Sequence, residues 1–160
     1  MIACRRRPFR AGMTARRLLW LFRLVMSTAA VLLFDQAVFA GQFLAGSYPA
    51  LHTHRANATV AGITVLAAAL SGLLLWRPGR GPLWPLAGSL VLFALIAAQI
   101  AIGFARLLTL HIPLGVAIIG LSIGLAIRAW RLDPAAGPVA THAAGIDPSP
   151  ARSQDSAGVP

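Results

Sequence analysis

The sequence predicts an all-α fold, a transmembrane up-down four-helix bundle. Three observations lead there. Hydrophobic residues fill 58% of the 160 positions, charged residues only 11%, and the mean hydropathy is +0.74. The apolar residues gather in four runs. Each is close to the ~20 residues that cross a hydrocarbon layer of ~30 Å as a helix. The connections between runs are short and rich in Gly, Pro and Arg, which favours antiparallel neighbours.

Residues 1–17 form a basic tail with Arg5, Arg6, Arg7, Arg10, Arg16 and Arg17. The first span covers 18–43 and is broken only by Arg23, Asp35, Gln36 and Gln42. Arg23 is expected to snorkel towards the headgroups from one turn inside. Val38-Phe39-Ala40 resembles a signal-peptide cleavage site. The run is too long for such a peptide, and Asp35-Gln36 interrupts it, so a retained helix is favoured. Residues 44–56 read as an outer loop around the turn signal Gly46-Ser47-Tyr48-Pro49. The second span, 57–76, has no charge. Arg77-Pro78-Gly79-Arg80-Gly81-Pro82 is a helix-breaking basic connection. The third span, 83–105, holds one strongly polar residue, Gln99. After Arg106-Leu107-Leu108-Thr109, the fourth span covers 111–130, with Pro113 expected in a first helical turn. Residues 132–160 are rich in Pro, Ala, Gly and Ser without an apolar period, and read as a disordered tail.

Composition excludes several functions. The lone Cys4 rules out an internal disulfide and a cysteine-based metal or redox site. Asp35 is the only acid inside an apolar run, so paired-carboxylate hydrolysis has no residues to use. A net charge of +10 invites a nucleic-acid partner, but the placement of the charge argues for a bilayer. Twelve of the 14 arginines flank one end of the spans: the N-terminal flank, the 77–82 connection and the C-terminal side. Only Arg55 and Arg106 lie at the other end. The positive-inside rule then puts both termini in the cytoplasm. All basic residues are Arg and all acids are Asp, a bias expected of a GC-rich bacterial genome. The expected location is therefore a bacterial inner membrane.

His54 and His111 each stand at the outer mouth of an apolar run, on alternate spans. In an up-down bundle those spans are diagonal. Interaxial distances of ~8–10 Å leave about 7–9 Å between inward-facing backbones across the diagonal; two histidines on one metal need somewhat more, so the bundle is expected to splay at its outer end. Two imidazoles at that level form a candidate axial ligand pair for one b-type haem, with small residues Ala40, Gly41, Gly62, Gly103 and Gly115 leaving room. His52, two residues into the loop, is the rival to His54. Metal-bound histidines need a partner for the second ring nitrogen; Gln36, Asn57, Gln99 and Thr109 are the candidates. Gln99 is favoured, because a polar side chain in lipid turns inward. Arg55 and Arg106 are candidate partners for anionic propionates, and Asp35 is a candidate to neutralise one of them. The bland reading of both histidines is a hydrated polar cluster at the interface.

Four spans with histidines at the outer ends of the second and fourth resemble one four-helix half of the haem A synthase family. The stretch with Gln99, Gly103, Leu110-His111 and Pro113-Leu114-Gly115 also looks like small four-span bacterial membrane proteins of that b-type-haem kind. The resemblance covers about residues 18–130 and implies His54 and His111 as axial ligands. The departures are clear. One half is present rather than two, and there is no Glu and no cysteine pair in the first outer loop. Haem A synthesis by this chain alone is not expected. Cytochrome b561-type carriers place histidines near both faces; here they occupy one, so electron transfer across the membrane is not expected either.

The expectation is thus a haem-binding redox or haem-handling accessory rather than an enzyme. Two alternatives stand beside it: a non-haem structural subunit of a membrane complex, and a small-molecule carrier or enzyme with a pocket under the first outer loop. A membrane protein partner or a homodimer through Gly120 and Gly124 is compatible with each. The arginine bias makes a direct prediction. Reporter fusions at Pro78 and after Arg131 should read cytoplasmic, and one at Tyr48 external; an external signal at Arg131 overturns the orientation.

Overall fold

The computed structural model describes residues 13–79 and 81–132, so most of both expected tails lies outside the described residues. Four helices make up the fold: α1 (Met13–Leu44), α2 (Pro49–Trp76), α3 (Trp84–Phe104) and α4 (Leu108–Arg131). Each is long and apolar enough to cross a membrane. The shortest, α3, has 21 residues, about 31 Å at 1.5 Å per residue. The helices pack in a ring, α1 on α2, α2 on α3, α3 on α4 and α4 on α1, so α2 and α4 are diagonal. The protein is an all-α, multi-pass membrane bundle.

Burial is inverted relative to a water-soluble bundle. Leu24, Val31, Phe34, Ile63, Leu70, Val91 and Val116 are all exposed, as a lipid-facing surface requires. The interior mixes small and large side chains. Ala61, Ala68 and Ala69 on α2 are buried against Phe22, Met26 and Leu92 from the flanking helices. Lipid tails are as apolar as these side chains, so close packing and hydrogen bonds hold the helices together. Gly72 shows how close: a Cβ there would come 2.7 Å from the Leu86 backbone nitrogen on α3. The buried Ser71, Ser89 and Ser122 satisfy their hydroxyls on carbonyls three or four residues back in their own helices.

Two boundaries differ from the sequence expectation. Residues 49–56, expected as loop, are the first two turns of α2, entered through Pro49, whose fixed φ suits a helix start. Helix α4 begins at Leu108, so Pro113 falls in the second turn, where it has no N–H for the Thr109 carbonyl. The α1–α2 and α3–α4 connections are correspondingly short, and both use the same device. Ser47 N–H donates to Gln42 O and Gly46 N–H to Phe43 O; Leu107 N–H donates to Ile102 O and Arg106 N–H to Gly103 O. Each is a Schellman turn, with a left-handed residue just past the helix end. That residue is Gly46 (φ +98°) in the first and Arg106 (φ +59°) in the second.

A Cβ in the left-handed region costs about 1–2 kcal/mol. Arg106→Gly should therefore raise the thermal midpoint in detergent, and Gly46→Ala should lower it, each by an amount corresponding to about 1 kcal/mol. A destabilising Arg106→Gly would show that the arginine side chain makes up for its backbone strain.

Candidate functional site

The end of the bundle where α1 turns into α2 and α3 into α4 holds a polar grouping. Helix α1 brings Gln36 beside His54 of α2, and the two bond reciprocally. The Gln36 side-chain Nε2 donates to the His54 main-chain oxygen (3.1 Å), and His54 Nδ1 lies 3.1 Å from the Gln36 main-chain oxygen. Helices α3 and α4 repeat the arrangement. Gln99 Nε2 donates to the His111 main-chain oxygen (2.7 Å), and His111 Nδ1 lies 3.1 Å from the Gln99 main-chain oxygen. A carbonyl oxygen only accepts, so each Nδ1 carries the proton and each Nε2 keeps its lone pair. Both tautomers are thus set by the backbone of the neighbouring helix.

The two imidazoles face one another across the diagonal, with ring centroids 6.3 Å apart and planes at 55°. This separation suits one metal between them. Two metal–nitrogen bonds of about 2 Å, with about 1 Å from each nitrogen to its ring centre, span about 6 Å. The donor set is narrow: among the described residues no group of three or more His, Cys, Asp or Glu converges on a point. Two imidazoles without further protein donors would leave most positions of a metal between them to some other group.

The remaining candidates are placed as follows. His52 is exposed. Asn57 donates to the Leu32 carbonyl at 2.8 Å, fastening α2 to α1 rather than serving a histidine. Thr109 is exposed. Arg55 and Arg106 are exposed at this end, and among the described residues no hydrogen bond joins either guanidinium to the paired imidazoles. Asp35 is half-buried next to Gln36 in the chain. Gln99 points inward, and its Oε1 is buried without a hydrogen-bond partner among the described residues. Two of the small residues have a different use from the one expected. A Cβ on Gly103 would lie 2.9 Å from His111 Cε1, and one on Gly115 would lie 3.0 Å from Gln99 Nε2. These glycines admit the Gln99–His111 pair itself. Gly41 and Gly62 have open space around them.

At the opposite end, sequence reasoning misplaced one residue. Arg23 does not snorkel outwards. It is buried, donating from Nε to Ala129 O (3.1 Å) and from Nη2 to Leu132 O (2.6 Å) at the end of α4. Its guanidinium carbon lies 5.2 Å from the Trp20 ring centroid and 5.3 Å from that of Trp130. The cation satisfies carbonyls that the helix end leaves unpaired and meets the negative pole of its dipole. A basic residue one turn inside a span, three positions after Trp20, was the available signal.

Comparison of the chain with family models, with curated proteins and with solved structures finds no match. The functional reading rests on the geometry above.

The glycine contacts yield a test that needs no ligand. Gly103→Ala should displace the His111 ring and cost about 1–3 kcal/mol of stability in detergent, as overpacking does. Gly62→Ala, with nothing near its Cβ, should be neutral or stabilising by up to about 1 kcal/mol. Equal effects of the two would mean that the His111 ring is free to move aside.

Proposed function

We propose that this membrane protein holds one b-type haem between His54 and His111, near one face of the bilayer, and acts as a redox or haem-handling accessory. The observation that supports the reading best is the imidazole pair: 6.3 Å between ring centroids, with each Nδ1 engaged by a carbonyl. Bound haem would supply one-electron chemistry. The chain's own residues do the rest. His54 and His111 would hold the group through their Nε2 atoms. Carbonyl oxygens of α1 and α3 keep the ring protons on Nδ1, and the apolar spans would keep water away from it. Arg55 and Arg106, on the same end and free of the pair, are available to carboxylate groups at the bilayer surface. The arginine bias puts this end outside a bacterial inner membrane, with both termini in the cytoplasm.

A second reading has its own observation. The Gln–His pairs satisfy each other, and interhelical hydrogen bonds of this kind fasten spans without any ligand. On that reading the protein is a structural or interaction subunit, and the histidines serve as helix fasteners.

Absorption spectroscopy separates the two. Protein purified from haem-supplied cells should show a Soret band and the low-spin spectrum of two imidazole ligands. His54→Ala and His111→Ala should each abolish that low-spin spectrum, while His52→Ala should leave it nearly intact. Protonation removes the Nε2 lone pair, so ligation should weaken as pH falls through the histidine range. Wild-type protein without Soret absorption would leave the fastener reading in its place.

A further inference from the structure

The two Gln–His pairs are parts of a larger repeat. Gln36 and Gln99 are 63 positions apart. The same step carries each of the four buried residues of α3, from Pro85 to Ile96, onto a buried residue of α1, from Phe22 to Leu33. His54 and His111 are 57 positions apart. That step carries each of the five buried residues of α4, from Ile118 to Ala129, onto a buried residue of α2, from Ala61 to Gly72. The hydrogen-bonded residues alone set these two steps, and the burial pattern then agrees at every buried position of the second hairpin. Both hairpins also leave their first helix through a Schellman turn, at Gly46 and Arg106, although these two lie on neither step. Hairpins α1–α2 and α3–α4 are therefore two versions of one unit, both running up then down. Such parallel repeats are related by an axis along the membrane normal. Here that axis passes between the two imidazoles.

We propose that Gln36 and Gln99 are equivalent positioning residues of a pseudo-two-fold site, each holding one imidazole in its ligating orientation. The inference rests on the haem reading above. Each glutamine acts twice. Its amide Nε2 grips the histidine's main-chain carbonyl, which sets the spacing of the two helices at that level. Its own carbonyl, held at that spacing, takes the Nδ1 proton. Neither glutamine is needed as a ligand. Not every bond between neighbouring helices is repeated: Asn57 bonds Leu32, yet its counterpart 57 positions on is Leu114. The Gln–His pair recurs, and it recurs where the rings face each other.

The test uses full-length protein titrated with haem b in detergent, with affinity and the low-spin optical and paramagnetic resonance spectra as readouts. Losing an outer partner of a metal-bound histidine typically costs about 10–100-fold in affinity. Gln36→Leu and Gln99→Leu should each weaken haem binding by about 10-fold or more and reduce the low-spin signal. Asn57→Leu, which removes an interhelical hydrogen bond of similar length, should leave both readouts as in wild type. Gln36→Met and Gln99→Met, which keep the side chain's length and lose its N–H donor, guard against misfolding of the leucine variants and should show the same losses. Wild-type spectra and affinity in both leucine variants would overturn the positioning role while leaving the haem reading intact. A loss in only one of them would overturn the equivalence. Absence of haem from the wild type would instead remove the reading on which the inference rests.

Discussion

Inside hydrocarbon a polar group has no water to fall back on, and every buried donor and acceptor must find its partner within the protein. The Gln–His pairs meet most of that demand, Gln99 Oε1 being left without a partner among the described residues. A helical carbonyl already accepts from the N–H four residues on, but it has a second lone pair. His54 and Gln36 each use that spare capacity on the other's backbone, and so do His111 and Gln99. Two polar side chains are thereby stabilised in each hairpin without disturbing either helix. The same bonds fix how far apart the helices stand and which nitrogen of each ring is free. The ring-to-ring distance across the diagonal depends on both.

The four interhelical seams are not closed alike. The α1–α2 and α3–α4 seams are fastened at the histidine end by the Gln–His pairs, the first with Asn57 as well. The α4–α1 seam is fastened at the opposite end, by Arg23 on the α4 carbonyls and by Trp130 Nε1 on Ser27 Oγ at 3.1 Å. The α2–α3 seam relies on close backbone approach at Gly72, again towards that end. Aromatic and cationic groups cluster there too. Arg128 stacks on Trp84 at 4.5 Å and Arg77 on Trp76 at 4.9 Å, as in an interfacial belt. The end carrying Arg23 therefore ties one hairpin to the other, whereas the histidine end ties each hairpin within itself. Among the described residues, no side-chain hydrogen bond crosses from hairpin to hairpin at the level of the imidazoles.

Much of this was legible in the sequence. Length and hydropathy suffice for four spans, because the bilayer imposes a narrow range of helix lengths. Gln99 could be assigned to the interior from its isolation in an apolar run, and His54 and His111 to one level from their positions at the ends of alternate spans. Other features depended on information that hydropathy does not carry. Residues 49–56 are polar enough to read as loop, yet they form two helical turns. Arg23 reads as a surface cation because its partners, the Ala129 and Leu132 carbonyls, are more than 100 positions away. The repeat is concealed by an inserted length: 17 residues separate Gln36 from His54, but 11 separate Gln99 from His111. It is concealed again by unlike residues at matching buried positions, such as Phe22 with Pro85 and Val65 with Ser122.

The two hairpins share one plan but do not pack alike around their histidines. Gly103 and Gly115, which make way for the His111 ring and the Gln99 amide, correspond in the first hairpin to Ala40 and Ala58. A methyl group is accommodated at those two positions, whereas glycine is needed where the His111 ring and the Gln99 amide come close. The first hairpin adds the Asn57 bond, which fastens α2 to α1 without touching the imidazole, and an extra length of helix beyond its pair. The same reciprocal Gln–His bonds are thus reached through different packing: close backbone approach at two glycines in one hairpin, alanines at the matching positions in the other.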